Sequence, residues 1–215
     1  MLPGGEQPGM DTRSPFENRK RKSTAHLVDP SIPAPSFCPH CTERTPAFDG
    51  AGSLGVYRGV LRDAIHNLKY RDRPQLARPL AIILADYAKA HSASFHDLQF
   101  DAVIAIPMHP SRRRQRGYNQ AERIAAAFAR ELGLNLETNV VKRNRKTKSQ
   151  VGLSARERAN NITDAFNVPN SERTAGKTYI LIDDVTTTGS TLHECAKSLK
   201  AASASKVYAL TLAAD

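Results

Sequence analysis

Residues 179–191 read Y-I-L-I-D-D-V-T-T-T-G-S-T. Tyr179 to Ile182 is a short apolar run with the length and branched content of a buried strand. Two adjacent carboxylates follow, Asp183 and Asp184. Thr186, Thr187, Thr188, Gly189, Ser190 and Thr191 then lead into a helical pattern. Strand, loop and helix in this order put the loop at the carboxyl edge of a parallel sheet, where α/β proteins hold ligands. The helix start offers unpaired N–H groups and the positive end of its dipole. Gly189 permits a tight turn and close approach of backbone to a ligand. The five hydroxyls can donate to phosphate oxygens, and the carboxylates suit sugar hydroxyls or a hydrated Mg²⁺. A ligand with both a phosphate and a ribose diol would use all of these groups. Helix capping would explain a lone D-D or T-T-T, but not the ordered run.

The neighbouring segments repeat the pattern. Residues 206–212 read as a further strand, and on the helix expected at 190–202 Leu192, Cys195, Ala196 and Leu199 share a face. Cys195 is therefore expected in the core, and His193, on the other side, is not expected to be catalytic. Further back, Asp101 to Ile106 reads as a buried strand that Pro107 ends. A basic loop follows, M-H-P-S-R-R-R-Q-R-G-Y-N-Q at 108–120, and then a helix with Ala121, Ile124, Ala125, Phe128 and Leu132 on one face. Arg112, Arg113, Arg114, Arg116 and Gly117 in that loop suit a dense anion such as pyrophosphate. Leu61, Ala64, Ile65 and Leu68 predict a helix over 59–70, ending in the cations Lys69 and Arg71. A second helix is expected from Pro74 through Tyr87. Thr138 to Val141 reads as a short strand, and the polar, basic stretch 142–158 as a mobile functional loop or a disordered one. The β-α-β alternation implies an α/β fold: a mostly parallel sheet flanked by helices on both faces.

Ahead of this lie two different segments. Residues 1–36 are rich in Pro, Gly, Ser and charge and predict a disordered leader, with the cluster Arg19 to Lys22 inside it. Residues 37–56 carry Cys38 and Cys41 in one C-x-x-C, half of a zinc-ribbon pattern. No second pair follows, so two free thiols are expected rather than zinc, with these cysteines as weak zinc candidates. Residues 57–215 then form the folded domain.

The formal net charge is +10. Between Pro107 and Arg158 thirteen Lys and Arg stand against four Glu, so nearly all the surplus sits there. Such a block attracts a pyrophosphate-bearing ligand or nucleic acid. No apolar run is long enough for a membrane span, and no secretory h-region is evident, which points to the cytoplasm. Gly176-Lys177-Thr178 lacks the upstream glycine of a P-loop, since position 171 is Ser, and it precedes a strand.

The run 182–191 resembles the phosphoribosyl diphosphate (PRPP) signature of type I phosphoribosyltransferases. Together with L-K-Y-R at 68–71, I-P-M-H-P-S-R-R-R-Q-R-G-Y-N-Q at 106–120 and S-Q-V-G-L-S-A-R-E-R-A-N-N at 149–161, it resembles the ComF family over residues 57–213. That family consists of phosphoribosyltransferase-like proteins linked to natural competence and DNA uptake. The resemblance implies a type I phosphoribosyltransferase fold. It implies that Asp183 and Asp184 meet the ribose hydroxyls and that Thr186 to Thr191 wrap the 5′-phosphate. The basic loop, with Lys69, would hold pyrophosphate, and a flexible loop bearing Gln150, Arg156 and Arg158 would close over the site. Mg²⁺ would accompany PRPP. The expected activity is phosphoribosyl transfer to an acceptor that the residues do not specify, with release of pyrophosphate. The alternative is a PRPP- or nucleotide-sensing module that binds single-stranded DNA and a partner in the competence machinery. The family commonly has a four-cysteine zinc module, of which only Cys38 and Cys41 are matched here.

Overall fold

A computed structural model describes residues 45–90, 99–145, 147 and 154–215. The leader, Cys38, Cys41 and Gln150 lie outside the described residues, as do the side chains of Arg156 and Arg158. In chain order come β1 (Gly50–Val56), α1 (Gly59–Tyr70), a short 3₁₀ turn (Pro74–Leu76) and α2 (Ala77–Ala90). Then follow β2 (Ala102–Ala105), α3 (Pro110–Arg116), α4 (Gln120–Leu132), β3 (Leu136–Glu137) and β4 (Lys142–Arg143). The chain closes with α5 (Ala155–Ile162), β5 (Phe166–Asn167), β6 (Thr178–Thr186), α6 (Ser190–Ala201) and β7 (Lys206–Ala214). No helix among the described residues is long and apolar enough to cross a membrane.

Five strands form one parallel sheet in the order β1-β7-β6-β2-β3. Its centre is the apolar run of β6, which is buried on both faces, as parallel sheets with helices on each side require. The two-residue period divides the run. Ile180 and Ile182 pack with Leu84, Ile124 and Phe128 of α2 and α4. Tyr179 and Leu181 pack on the opposite side with Leu192, Cys195 and Leu199 of α6. The fold class is as the sequence implies: an α/β fold with a mostly parallel sheet between helices.

This division places the ligand edge. After β2 and the short α3, α4 lies on one face, and α6, which follows the adjacent β6, lies on the other. Diverging connections open a crevice between the two strand ends. β2 stops pairing at Ala105, opposite Ile182, and Pro107 leads the chain away. β6 continues beside β7 as far as Thr186. Asp183 and Asp184 therefore stand on a strand that has lost its neighbour on one side.

Three expectations differ from the structure. Residues 50–56, assigned to the segment ahead of the domain, form an edge strand of the main sheet. Glycines make β1 a poor strand by propensity, but close packing asks for them: a Cβ on Gly52 would lie 3.1 Å from Leu210 and 3.4 Å from the Tyr87 hydroxyl. The strand expected at 138–141 is absent. The chain bends there to carry Val140 and Val141 from the end of β3 into the core on the α6 side, and pairing resumes antiparallel between β4 and β5. The last residues of the expected mobile loop, from Ala155, are helical. Ser154 and Glu157 cap that helix reciprocally: the Ser154 N–H donates to Glu157 Oε2 at 2.8 Å, and the Glu157 N–H donates to Ser154 Oγ at 3.3 Å.

Candidate functional site

Two cavities meet at the carboxyl edge. The larger, about 680 Å³, lies between the β2–α3 connection, α3, β4 and the end of β6. The smaller, about 330 Å³, is lined by Thr186 through Leu192, with Tyr57 and Asp215. Lys69, Tyr70, Asp183, Val185 and Thr191 belong to both walls. The hydroxyl-rich turn and the basic segment, far apart in sequence, thus open into one crevice.

At the junction the two acids differ. Asp184 is 3% exposed, and its Oδ1 accepts from the Lys69 ammonium at 3.0 Å and the Val185 N–H at 2.7 Å. Its Oδ2 is buried without a hydrogen-bond partner. Asp183 is half-buried and accepts from the Asp184 N–H at 2.8 Å. Burial, and then the adjacent Asp184 charge, push the Asp183 carboxyl well above the usual carboxylate range. Burial alone would pull the Lys69 ammonium down, but the Asp184 and Asp183 carboxylates more than offset it and its pKa is raised. Lys69, expected at the pyrophosphate, lines both cavities where they meet and is ion-paired there with Asp184.

The basic segment is a helix rather than a loop. His109 caps α3, its Nδ1 accepting from the Ser111 N–H at 3.2 Å, and Pro110 follows at the first helical position. Gly117 ends it at φ 84°, in the left-handed region that favours glycine. Helical phase then sorts the arginines. Arg112 and Arg116, four apart, line the larger cavity with Gln115. Arg113 turns out to an ion pair with Glu122 at 3.0 Å, and Arg114 is exposed. Of the expected pyrophosphate set, Arg112, Arg116 and Lys69 reach the cavity. Arg113, Arg114 and Gly117 do not line it, because a helix presents only part of its circumference to one neighbour.

Arg143 was not singled out from sequence. It sits on β4, lines the larger cavity and lies over the Phe166 ring at 5.5 Å. Arg112 donates to the Thr147 carbonyl at 3.3 Å, while Arg143 donates to the Thr147 hydroxyl at 2.5 Å. Burial, with the neighbouring Arg112 charge, lowers the Arg143 guanidinium to about 10. Its Nε is buried without a partner. Arg112 and Arg143 thus put two cations in the wall of the larger cavity, a candidate site for an anion. Nothing in K-R-N-R-K-T distinguishes Arg143 from its solvated neighbours; only the two-residue pairing of β4 with β5 turns it inward.

In the smaller cavity Gly189, at φ 70°, starts α6, and Thr188 Oγ1 lies 2.8 Å from Ser190 Oγ. Cys195 is fully buried, and burial pushes its thiol up, as expected of a packing residue. His193 lines neither cavity; its Nδ1 accepts from the Ala47 N–H at 3.1 Å. Among the described residues, no group of three or more His, Cys, Asp or Glu is placed to hold a metal ion.

Residues 75–215 match the family described as phosphoribosyl transferase domain. The chain is 34% identical over 166 residues to competence protein F of Haemophilus influenzae, covering 76% of this chain and 72% of that protein. The chain belongs to the ComF family. A second ComF relative, the DNA utilization protein YhgH of Salmonella typhimurium, is 31% identical over 171 residues, covering 79% of this chain and 72% of its own length. Among solved structures, the glutamine PRPP amidotransferase of B. subtilis aligns with this ComF protein at 17% identity and a TM-score of 0.44. That alignment covers 68% of this chain and 30% of the other.

Proposed function

We propose that this ComF protein binds PRPP with Mg²⁺ and transfers its phosphoribosyl group to an acceptor, releasing pyrophosphate. The observation that carries this reading is the junction of the two cavities at Lys69 and Asp183. PRPP presents a 5′-phosphate, a ribose diol and a diphosphate in sequence. The cavities present a hydroxyl-lined helix start, two carboxylates and paired guanidiniums in the same sequence. The 5′-phosphate would lie against Thr187 to Thr191, the ribose against Asp183 and Asp184, and the diphosphate against Arg112, Arg116 and Arg143.

Breaking the bond from C1 to the diphosphate oxygen builds positive charge on the ribose and negative charge on the leaving group. Asp183 and Asp184 favour the first, and the guanidiniums stabilise the second without needing to reorganise. The segment with Gln150, Arg156 and Arg158 would shield the site from water, a competing nucleophile. Mg²⁺ fits this donor set: it is commonly held by one or two carboxylates together with substrate phosphates, and the orphaned Asp184 Oδ2 is such a donor. When bound, it would neutralise charge on the diphosphate.

Calorimetry on the Asp183→Asn, Asp184→Asn double variant tests the assignment. Mg-PRPP binding should be abolished while the circular dichroism and the unfolding transition persist. Unchanged affinity would show that the acids do not meet the ligand.

A second reading, binding of single-stranded DNA, is motivated by the outward cations Arg113 and Arg114 and by the names of the ComF relatives. It requires only surface charge and is compatible with the same pocket.

A further inference from the structure

We propose that the free edge of β1 is a self-association surface, and that its occupant is β1 of a second copy of this chain, paired antiparallel about a two-fold axis at Ser53. β1 ends the sheet order β1-β7-β6-β2-β3, and among the described residues no strand pairs with its outer edge. Natural sheets guard such an edge with Lys, Pro or a bulge. G-A-G-S-L-G-V at 50–56 has no charged residue and no proline. Its register with β7 runs without a bulge from Gly50, opposite Tyr208, to Val56, opposite Ala214. Two hydrogen bonds fix which backbone groups face outward. The Asp49 N–H donates to the Val207 carbonyl at 2.7 Å, and the Tyr57 N–H donates to the Ala214 carbonyl at 2.8 Å. The two-residue period then turns the odd-numbered residues toward β7. It leaves Gly50, Gly52, Leu54 and Val56 with N–H and C=O directed to the free edge.

A two-fold axis at Ser53 maps that outward set onto itself. Gly50 meets Val56 of the second copy and Gly52 meets Leu54, both as hydrogen-bonded pairs. Slipping the pairing to the next such register would leave one of the four without a strand partner. Bulk is matched too, since each large outward residue faces a glycine. A Cβ on Gly50 would lie 3.0 Å from the Tyr208 ring and one on Gly52 3.1 Å from Leu210, so neither position takes a side chain and both leave room for the other copy. Of the three exposed large hydrophobics among the described residues, Val56 at 58% and Val60 at 86% stand at this end of the edge, and pairing covers Val56. Charge selects the direction. Asp49 precedes the strand and Arg58 follows it, so antiparallel copies set each acid beside the other's arginine, whereas parallel copies align like charges. The chain's own preceding residues arrive elsewhere: the Ala47 N–H donates to His193 Nδ1 at 3.1 Å and Phe48 packs with α6. They reach β1 from over α6 rather than along its free edge. The two sheets become one, and the two candidate sites open at opposite edges of it.

Sedimentation velocity on the full chain, without ligand and over a range of concentrations, measures the assembly. The wild type should form a species of twice the chain mass. Val56→Pro removes an N–H that faces the free edge and makes no bond to β7, and an edge strand tolerates proline there. It should weaken the dimer by about 10-fold or more while the circular dichroism matches the wild type. Ser53→Cys supplies a second measurement. Across the axis the two copies of residue 53 form a pair without mutual hydrogen bonds, about 4.5 Å apart at Cα, within reach of a disulfide. Mild oxidation should link two chains through residue 53, identified by mass spectrometry of the linked peptide and so told apart from any link through Cys38 or Cys41. A wild type that stays monomeric at every concentration overturns the inference. So does a dimer that a folded Val56→Pro variant leaves intact, or a dimer in which residue 53 does not cross-link. Should Val56→Pro fail to fold, the cross-link alone decides.

Discussion

Asp183 and Asp184 are neighbours in sequence with different environments, and a pH experiment separates them. Asp184 has a permanent partner in Lys69. Burial and the like charge of Asp184 outweigh the Asp184 N–H that Asp183 accepts, so its carboxyl holds a proton more tightly in the fold than in the unfolded chain. An unfolded Asp ionises near about 4. Above that pH the folded state therefore binds more protons than the unfolded state, and stability falls as pH rises. Asp183 contributes its full stabilisation below the ordinary Asp range and loses it as pH climbs through the raised folded value. The ligand-free midpoint of unfolding should decline more steeply with pH, from the ordinary Asp range upward, in the wild type than in Asp183→Asn. Parallel profiles would mean that Asp183 is not the group responsible. Cation binding to this pair should correspondingly weaken at acid pH, where the carboxyl is neutral.

At the scale of elements, α3 is where the sequence was readable in composition but not in geometry. The arginines at 112–116 suit an anionic ligand by composition, and a loop could have offered all of them. The His109 cap, Pro110 at the first turn and Gly117 at the end make a helix instead, and its phase selects two. Arg112→Ala or Arg116→Ala should weaken PRPP or pyrophosphate binding by about 10-fold or more, the value of a charge-assisted hydrogen bond. Arg114→Ala, on the exposed side, should leave it nearly unchanged. Equal losses from all three in titration calorimetry would mean the segment unwinds on binding. α5 offers the converse lesson. S-A-R-E at 154–157 is a capping-box spacing, and the structure uses it; the polarity of the segment obscured that signal. β4 had no signal to find, since two residues carry no period.

For the whole molecule, the charge surplus between Pro107 and Arg158 is divided by the fold. Arg112, Arg116 and Arg143 point into the larger cavity, while Arg113 and Arg114 turn from it. If the outer cations bind single-stranded DNA, affinity should fall steeply with salt, with a log–log slope of about −0.7 per phosphate neutralised. Saturating Mg-PRPP should then leave DNA binding largely intact. Fluorescence anisotropy with a labelled oligonucleotide at several salt concentrations measures both, and salt-independent binding would count against surface electrostatics.

The residue pattern by itself determined the local units: a buried strand leading through two acids into a hydroxyl-rich helix start, a second strand leading into a cationic segment, and helices with readable apolar faces. These follow from periodicity and turn chemistry, which act over a few residues. Tertiary structure alone decided which groups share a crevice. The order β1-β7-β6-β2-β3 brings Asp183 beside the exit of β2, sets Lys69 against Asp184, and turns Arg143 and Tyr70 toward a common space. Such convergence comes from strand order and helix placement across long stretches of chain, and neither composition nor period encodes it.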